Sequence, residues 1–274
     1  TIYTQYLPSV IVFTHCWPFI PHHGASDCVS TAIIGKGIIT MDLDRVHQHF
    51  EKEAYIYDEL ILRLIPNYRE QHEVIIKLID FDRTAPLKAL DLGCGTGILS
   101  YLMLEEFPQA QVIAFDLAEN MLEVCQANLG GFGERLKTKQ GNFGADDIGR
   151  GYDIVLSGLS IHHLDNPGKI QLYKRIFNGL NPGGVFINRE IVLGAAPRLT
   201  DQYHRLWCQF ITSNGEDAGK WFQKYFDEDI PATVEEQLEW LNKAGFVDVG
   251  CHWRNLNFAV FGGRKAENLL TSIE

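Results

Sequence analysis

Apolar side chains at Leu43, Val46, Phe50, Ala54, Tyr57, Ile61 and Leu64 recur three or four apart, the spacing of one face of an α-helix. Asp42 stands where an N-cap would and Pro66 where a helix must stop. A second amphipathic helix is expected over residues 67–79, its apolar face carried by Ile75, Ile76 and Ile79. From residue 88 the pattern changes. Short β-branched and aromatic runs predict strands at 88–92, 111–116, 136–141, 152–157 and 184–191, with helices at 98–107, 119–129 and 168–180 between them. This alternation implies crossover units and a mostly parallel sheet covered on both faces. Residues 194–232 interrupt the rhythm and read as an insertion, with Trp207, Phe210, Trp221, Phe222 and Phe226 as its core. A helix at 234–244 ended by Gly245, then strands at 247–253 and 258–264, close the domain. The expected class is α/β: a doubly wound, Rossmann-like, seven-stranded sheet. The expected divisions are a leader over 1–40, a helical cap over 41–86, a ligand-binding domain over 87–265 and a tail over 266–274.

Charge changes the reading of the first segment. Residues 1–40 hold two charged side chains, Asp27 and Lys36, whereas residues 41–82 hold fifteen. Met41 is therefore read as the natural start, with a translated upstream segment before it. His15, Cys16, His22, His23 and Cys28 in that leader match no common metal-ligand spacing. The apolar run over 6–20 is broken by Pro8, His15 and Pro18, unlike an export signal or membrane span. The six cysteines form no CxxC pair, which argues against a zinc ribbon or disulfide framework and points to a reducing cytoplasm. A net charge of −11 disfavours nucleic acid as a partner and leaves a small molecule as the expected substrate, with a homodimer left open.

The chemistry is concentrated in Leu90-Asp91-Leu92-Gly93-Cys94-Gly95-Thr96-Gly97, a strand running into a glycine loop and then a helix. Glycines there let the backbone turn tightly and come close to a ligand at the helix N-terminus. A dinucleotide fingerprint needs a further glycine where Ile98 stands, so the loop suits a nucleoside without a pyrophosphate. Asp116 ends the second strand, where a carboxylate can accept both ribose hydroxyls; its alternative role is an N-cap before Glu119. Met121, early in the next helix, is placed to pack on ribose or adenine.

Further along stand Gly141-Asn142-Phe143, the Ser-Gly-Leu-Ser-Ile-His-His-Leu run over 157–164, and Leu180-Asn181-Pro182-Gly183-Gly184. With these motifs in this order, the chain resembles the class I S-adenosylmethionine-dependent methyltransferases over residues 43–265. The resemblance implies S-adenosyl-L-methionine as cofactor and methyl transfer to a small molecule. It places Asp91, Gly93, Cys94, Gly95 and Gly97 around the amino-acid end of the cofactor, and Asp116, Leu117 and Met121 at its ribose and adenine. Asn142 would meet the adenine amine, although the family more often carries Asp there, and Phe143 the adenine edge. Ser157 opens the loop beside the methyl group, and Tyr57 and Tyr68 reach in from the cap. Within the superfamily the chain is most similar to carboxy-S-adenosylmethionine synthase and its methyltransferase relatives, in Pro66-Asn67-Tyr68, the Asn-Pro-Gly-Gly turn, Ala244-Gly245-Phe246 and Asn257-Phe258. It departs from the synthase in keeping Gly95. It also reads Ile211-Thr212-Ser213-Asn214-Gly215 where the synthase's insertion carries an arginine for the extra carboxylate, so ordinary S-adenosylmethionine is expected.

Methyl transfer is an in-line displacement that needs alignment and water exclusion, plus a base only if the nucleophile holds a proton. The expected catalytic residues are His163, preferred over its neighbour His162, and Glu190 on the fifth strand, for which Arg189 and Arg198 are alternative ion-pair partners. His204 in the insertion is a further candidate base, and no metal is assigned. The rival functions are a tRNA-modifying enzyme, a carboxy-S-adenosylmethionine synthase-like enzyme and a non-catalytic cofactor-binding protein.

Overall fold

The computed structural model describes residues 57–267. The leader with its histidines and cysteines, the first part of the cap and most of the tail lie outside the described residues. So does the side chain of Tyr57. Among the described residues, α1 (Tyr57–Leu64) and α2 (Tyr68–Leu78) come first. Then follow β1 (Lys88–Leu92), α3 (Ile98–Glu106), β2 (Gln111–Asp116), α4 (Glu119–Leu129), β3 (Leu136–Gln140), β4 (Tyr152–Gly158), α5 (Asn166–Gly179) and β5 (Leu180–Ile191). The insertion is a pair of helices, α6 (Pro197–Ser213) and α7 (Ala218–Glu228), after which come α8 (Val234–Ala244), β6 (Val247–Asn255) and β7 (Phe258–Arg264).

The seven strands are ordered β3-β2-β1-β4-β5-β7-β6. The first five run parallel and β7 lies antiparallel to both β5 and β6. Successive strand residues point to opposite faces, so each strand serves two cores. Ala89, Val112, Leu156 and Ile187 pack with Ile75, Leu99, Met103 and Cys125 on one face. Leu90, Phe115, Val155 and Phe186 pack with Leu172, Tyr173, Ile176 and Leu241 on the other. A third cluster joins Leu60, Ile61 and Leu64 of α1 to Trp207, Ile211, Trp221 and Tyr225 of the insertion.

The expected α/β class, strand number and parallel order are found, and the deviations lie at element ends. α5 begins two residues earlier than its periodicity suggested, because Asp165 caps it by accepting from Gly168 N at 2.8 Å and Pro167 is tolerated in the first turn. β5 begins at Leu180, which pairs with Tyr152 before a register shift. α8 starts on a full capping box between Thr233 and Glu236, a device worth about 1 kcal/mol. Among the described residues no helix is long and apolar enough to cross a membrane.

Candidate active site

β1 and β4 are neighbours, yet the chain leaves them toward opposite edges of the sheet. A crevice opens beyond their carboxyl ends, the usual ligand position in such sheets. A cavity of about 820 Å³, counting its open mouth, lies there. The glycine loop forms its floor. Gly93 N and Cys94 N donate to Phe115 O at 2.8 and 3.1 Å, pinning the loop to β2. Gly95 has a φ of +53°, and a Cβ there would enter open space. A side chain at that point would therefore occupy the cavity itself.

Of the residues expected to bind cofactor, Tyr68, Gly93, Cys94, Gly95, Asp116, Leu117, Met121, Asn142 and Phe143 all line this cavity, as does His163. Asp116 accepts from Gly95 N at 2.8 Å and Ala118 N at 2.9 Å, one bond to each carboxylate oxygen. Each oxygen keeps a lone pair for a further donor. Burial pushes the Asp116 carboxyl above its usual range, against the backbone donors that lower it. Asn142 Oδ1 accepts from Gly144 N at 2.8 Å, so the side chain also holds its own turn. The cap meets the loop where Thr96 Oγ1 donates to Asp58 Oδ1 at 2.5 Å.

Four expected residues stand behind the cavity wall instead. Asp91 is buried under the start of α3 and accepts from Ser100 N at 3.0 Å and Ser100 Oγ at 2.7 Å, while burial raises its carboxyl to about 6. Gly97 is needed for packing, since a Cβ there would lie 2.7 Å from Cys125 Sγ and 2.8 Å from Leu129 Cδ1. Ser157 is buried and donates to Leu92 O at 2.8 Å, tying β4 to β1. Glu190 is 0% exposed and lines neither cavity described here. Its partners are His162 and the backbone of Ile191, with neither Arg189 nor Arg198 among them. Arg189 and Glu190 are adjacent on one strand, so their side chains leave opposite faces of the sheet.

A second cavity, about 640 Å³ including its mouth, adjoins the first, and Leu159 and His163 line both. Its walls are Leu60, Ile61, Leu64 and Ile65 from the cap side, and Trp207, Ile211, Trp221 and Tyr225 from the insertion. The expected insertion core thus also walls a space. Phe222 and His204 pack within the insertion's aromatic core and do not line this cavity, with His204 Nε2 3.1 Å from Tyr225 Oη, which removes His204 from the candidate bases. Leu159 holds a φ of +57°, a conformation that costs a branched residue about 1–3 kcal/mol and tends to mark functional sites.

The polar end of the second cavity is a buried network. Glu190 accepts from His162 N at 3.0 Å, from Ile191 N at 2.9 Å and from His162 Nδ1. His162 Nε2 lies 3.6 Å from Asp229 Oδ1. The nearby Glu190 and Asp229 carboxylates raise the His162 pKa against the opposing effect of burial. His163 Nδ1 lies 3.1 Å from Glu228 O and 3.3 Å from Asp229 Oδ1. Both neighbours only accept, so Nδ1 is a ring nitrogen that carries a proton. The ligand atoms of His162, His163 and Asp229 lie within 4.8 Å of one another, compact enough for a divalent ion. The insertion is fastened to this loop by Ile230 N donating to His162 O at 2.8 Å. The buried Lys169 ammonium adds a clamp by donating to Leu164 O at 2.5 Å and to Ile230 O, and burial lowers its pKa to about 8.

Sequence reasoning placed Thr96 and the 157–164 run, with Gly158, Leu159 and Ser160, near the cofactor only as parts of motifs, and it missed Ile98, Ala118 and Arg189 on the first cavity. Ile98 directly follows the glycine motif and could have been included. Asp229 had no sequence signal, since it reaches the site only because α7 ends there.

Residues 89–184 match the profile of a family described as methyltransferase domain. Among curated relatives, carboxy-S-adenosyl-L-methionine synthase of Campylobacter lari is 22% identical over 227 residues, covering 82% of this chain and 97% of that protein. Among solved structures, one described as an O-methyltransferase of Nostoc punctiforme superposes with a TM-score of 0.60 at 20% identity, over 80% of this chain and 61% of that one. Human N-acetylserotonin methyltransferase in complex with SAM gives 0.53 at 19% identity, over 82% of this chain and 57% of that one. The chain thus spans about three-fifths of these structural neighbours, and the likeness to them is one of fold.

Proposed function

We propose, from the premise that this chain belongs to the class I S-adenosylmethionine-dependent methyltransferases, that it methylates a small molecule seated in the second cavity, with His163 as the base. The observation carrying the reading is that His163 and Leu159 line both cavities, so one histidine borders the glycine-loop pocket and the space beside it. The first cavity suits the cofactor. Gly95 leaves it clear where any side chain would intrude, and Asp116 presents two acceptor oxygens at the end of β2. S-adenosylmethionine supplies a sulfonium methyl group for in-line displacement. The protein aligns the acceptor through the aromatic and aliphatic walls and excludes water. His163, bordering both cavities, takes the proton of a hydroxyl, amine or thiol nucleophile, and Asp229 with Glu228 O orients its ring through Nδ1. Glu190 acts through His162 as a positioning residue. The net charge of −11 and the largely apolar second cavity favour a small organic acceptor over nucleic acid.

Calorimetric titration of S-adenosylmethionine and S-adenosylhomocysteine into the wild type and an Asp116→Ala variant, with NAD as control, tests the cofactor. Turnover of isotopically methyl-labelled cofactor with fractionated small-molecule extract then tests the reaction. The expected results are micromolar binding that the variant loses and label transferred to an extract component. A folded protein that binds neither nucleoside refutes the reading.

A second reading is favoured by the relatives named carboxy-S-adenosyl-L-methionine synthase, which this chain matches over nearly their whole length. Mass spectrometry of the nucleoside released from purified protein separates the two, since a carboxylated cofactor would support the synthase reading.

A further inference from the structure

Arg189 is 2% exposed and lines the glycine-loop cavity. A guanidinium stays charged in a protein, and a buried charge without a counter-charge is costly. Among the described residues, no carboxylate lies within salt-bridge distance of it. Its hydrogen-bond partner is His72 Nε2, 2.6 Å from Nη1. Burial and the charge of Arg189 lower the His72 pKa to about 2, so this partner is neutral and cannot balance the charge. The Tyr68 ring lies under the guanidinium carbon at 4.4 Å, fixing its plane. Arg189 Nε is buried with no hydrogen-bond partner. Strand β4 is bare opposite it, for a Cβ on Gly158 would lie 3.0 Å from Arg189 Nη2.

A planar cation held by a ring and a neutral histidine, with donors left over at a ligand cavity, is a receptor for an anion that matches its fork. We propose that Arg189 binds the α-carboxylate of the cofactor's amino-acid end. This rests on the cofactor assignment above. Charge complementarity supports the choice. Asp91, behind the same loop, keeps Oδ1 without a hydrogen-bond partner, so opposite charges flank the region where an amino-acid zwitterion would lie.

The test compares nucleosides that differ only in carboxyl groups, by calorimetry on the intact chain. Wild-type protein is expected to bind S-adenosylmethionine roughly 30-fold more tightly than decarboxylated S-adenosylmethionine, equivalent to about 2 kcal/mol. An Arg189→Met variant is expected to bring the two affinities within threefold by weakening only the first, and Arg189→Lys to restore part of the difference. The wild-type ratio stands whether or not the variants fold, which circular dichroism checks. Near-equal wild-type affinities, with S-adenosylmethionine bound, overturn the assignment and leave the cofactor reading intact. Carboxy-S-adenosylmethionine binding tenfold more tightly than S-adenosylmethionine, with that gain lost in Arg189→Met, places Arg189 on the extra carboxylate and likewise overturns it. Failure of every nucleoside to bind refutes the cofactor reading and this proposal with it.

Discussion

Replacing Glu190 separates a residue that touches the reacting atoms from one that positions others. Its carboxylate is fully buried and receives the His162 backbone N–H, the His162 ring and the Ile191 N–H. Glu190→Ala leaves two donors from the backbone and one from an imidazole without that acceptor. A buried group that loses its ionic partner destabilises a protein by about 3–5 kcal/mol. At about 2–4 °C per kcal/mol for a domain of this size, the melting temperature should fall by about 6–20 °C. Because Glu190 is absent from both cavity walls, the affinity for S-adenosylmethionine should stay within about threefold, or about 0.7 kcal/mol. The rate constant should drop, because the His162 loop sets the approach of His163. Thermal denaturation, calorimetric titration and single-turnover rates on the same preparation measure all three. A melting temperature within about 2 °C of wild type, which on the same scale means less than about 1 kcal/mol, would refute the positioning argument. So would a selective loss of cofactor affinity in a variant of unchanged stability.

Gly97→Ala is expected to destabilise the protein by about 1–3 kcal/mol, since the new methyl meets Cys125 and Leu129 at a φ of +95°. Chemical denaturation would read the change, and a variant as stable as wild type would contradict the packing role. His72 stays neutral when folded, with a pKa near 2, while the unfolded ring titrates near 6.5. A depressed histidine pKa gives stability that is present above the unfolded value and lost as pH falls below it. For one such ring the loss between pH 7.5 and 5.5 is about 1.4 kcal/mol. His72→Gln should therefore show a shallower fall in stability over that interval, and parallel curves for the two proteins would count against a neutral buried ring. Prolonged dialysis against EDTA should leave methyl transfer unchanged. His162 has a carboxylate facing each ring nitrogen, and His163 commits Nδ1 to two acceptors, so the three groups already satisfy one another. Activity lost to EDTA and restored by a divalent ion would show the site to be metallic.

The placement of the glycine loop and Asp116 at one cavity was legible because their geometry is local. A strand, a turn that only glycine can make and a helix N-terminus sit within one short stretch, and strand alternation announces the parallel sheet that aligns it with β2. The same locality explains why Gly97 and Ser157 were grouped with the ligand, although their own contacts are with Cys125 and Leu129 and with Leu92 O. A motif reports which residues travel together, whereas the side a residue faces depends on the helix packed behind it. Glu190 and Arg189 show the limit most directly. Their types suggested an ion pair, but strand alternation sends them to opposite faces, one toward His162 and the other toward His72 and the cavity. Asp229 is brought beside the histidines by an insertion whose helices obey their own amphipathic pattern. The sequence by itself determined the sheet, the loop and the kind of ligand, since these follow from periodicity and short-range turn chemistry. Only the tertiary structure decided which buried charge meets which partner, because that depends on contacts across 28 positions for His162 and Glu190 and 117 for His72 and Arg189, which no local pattern encodes.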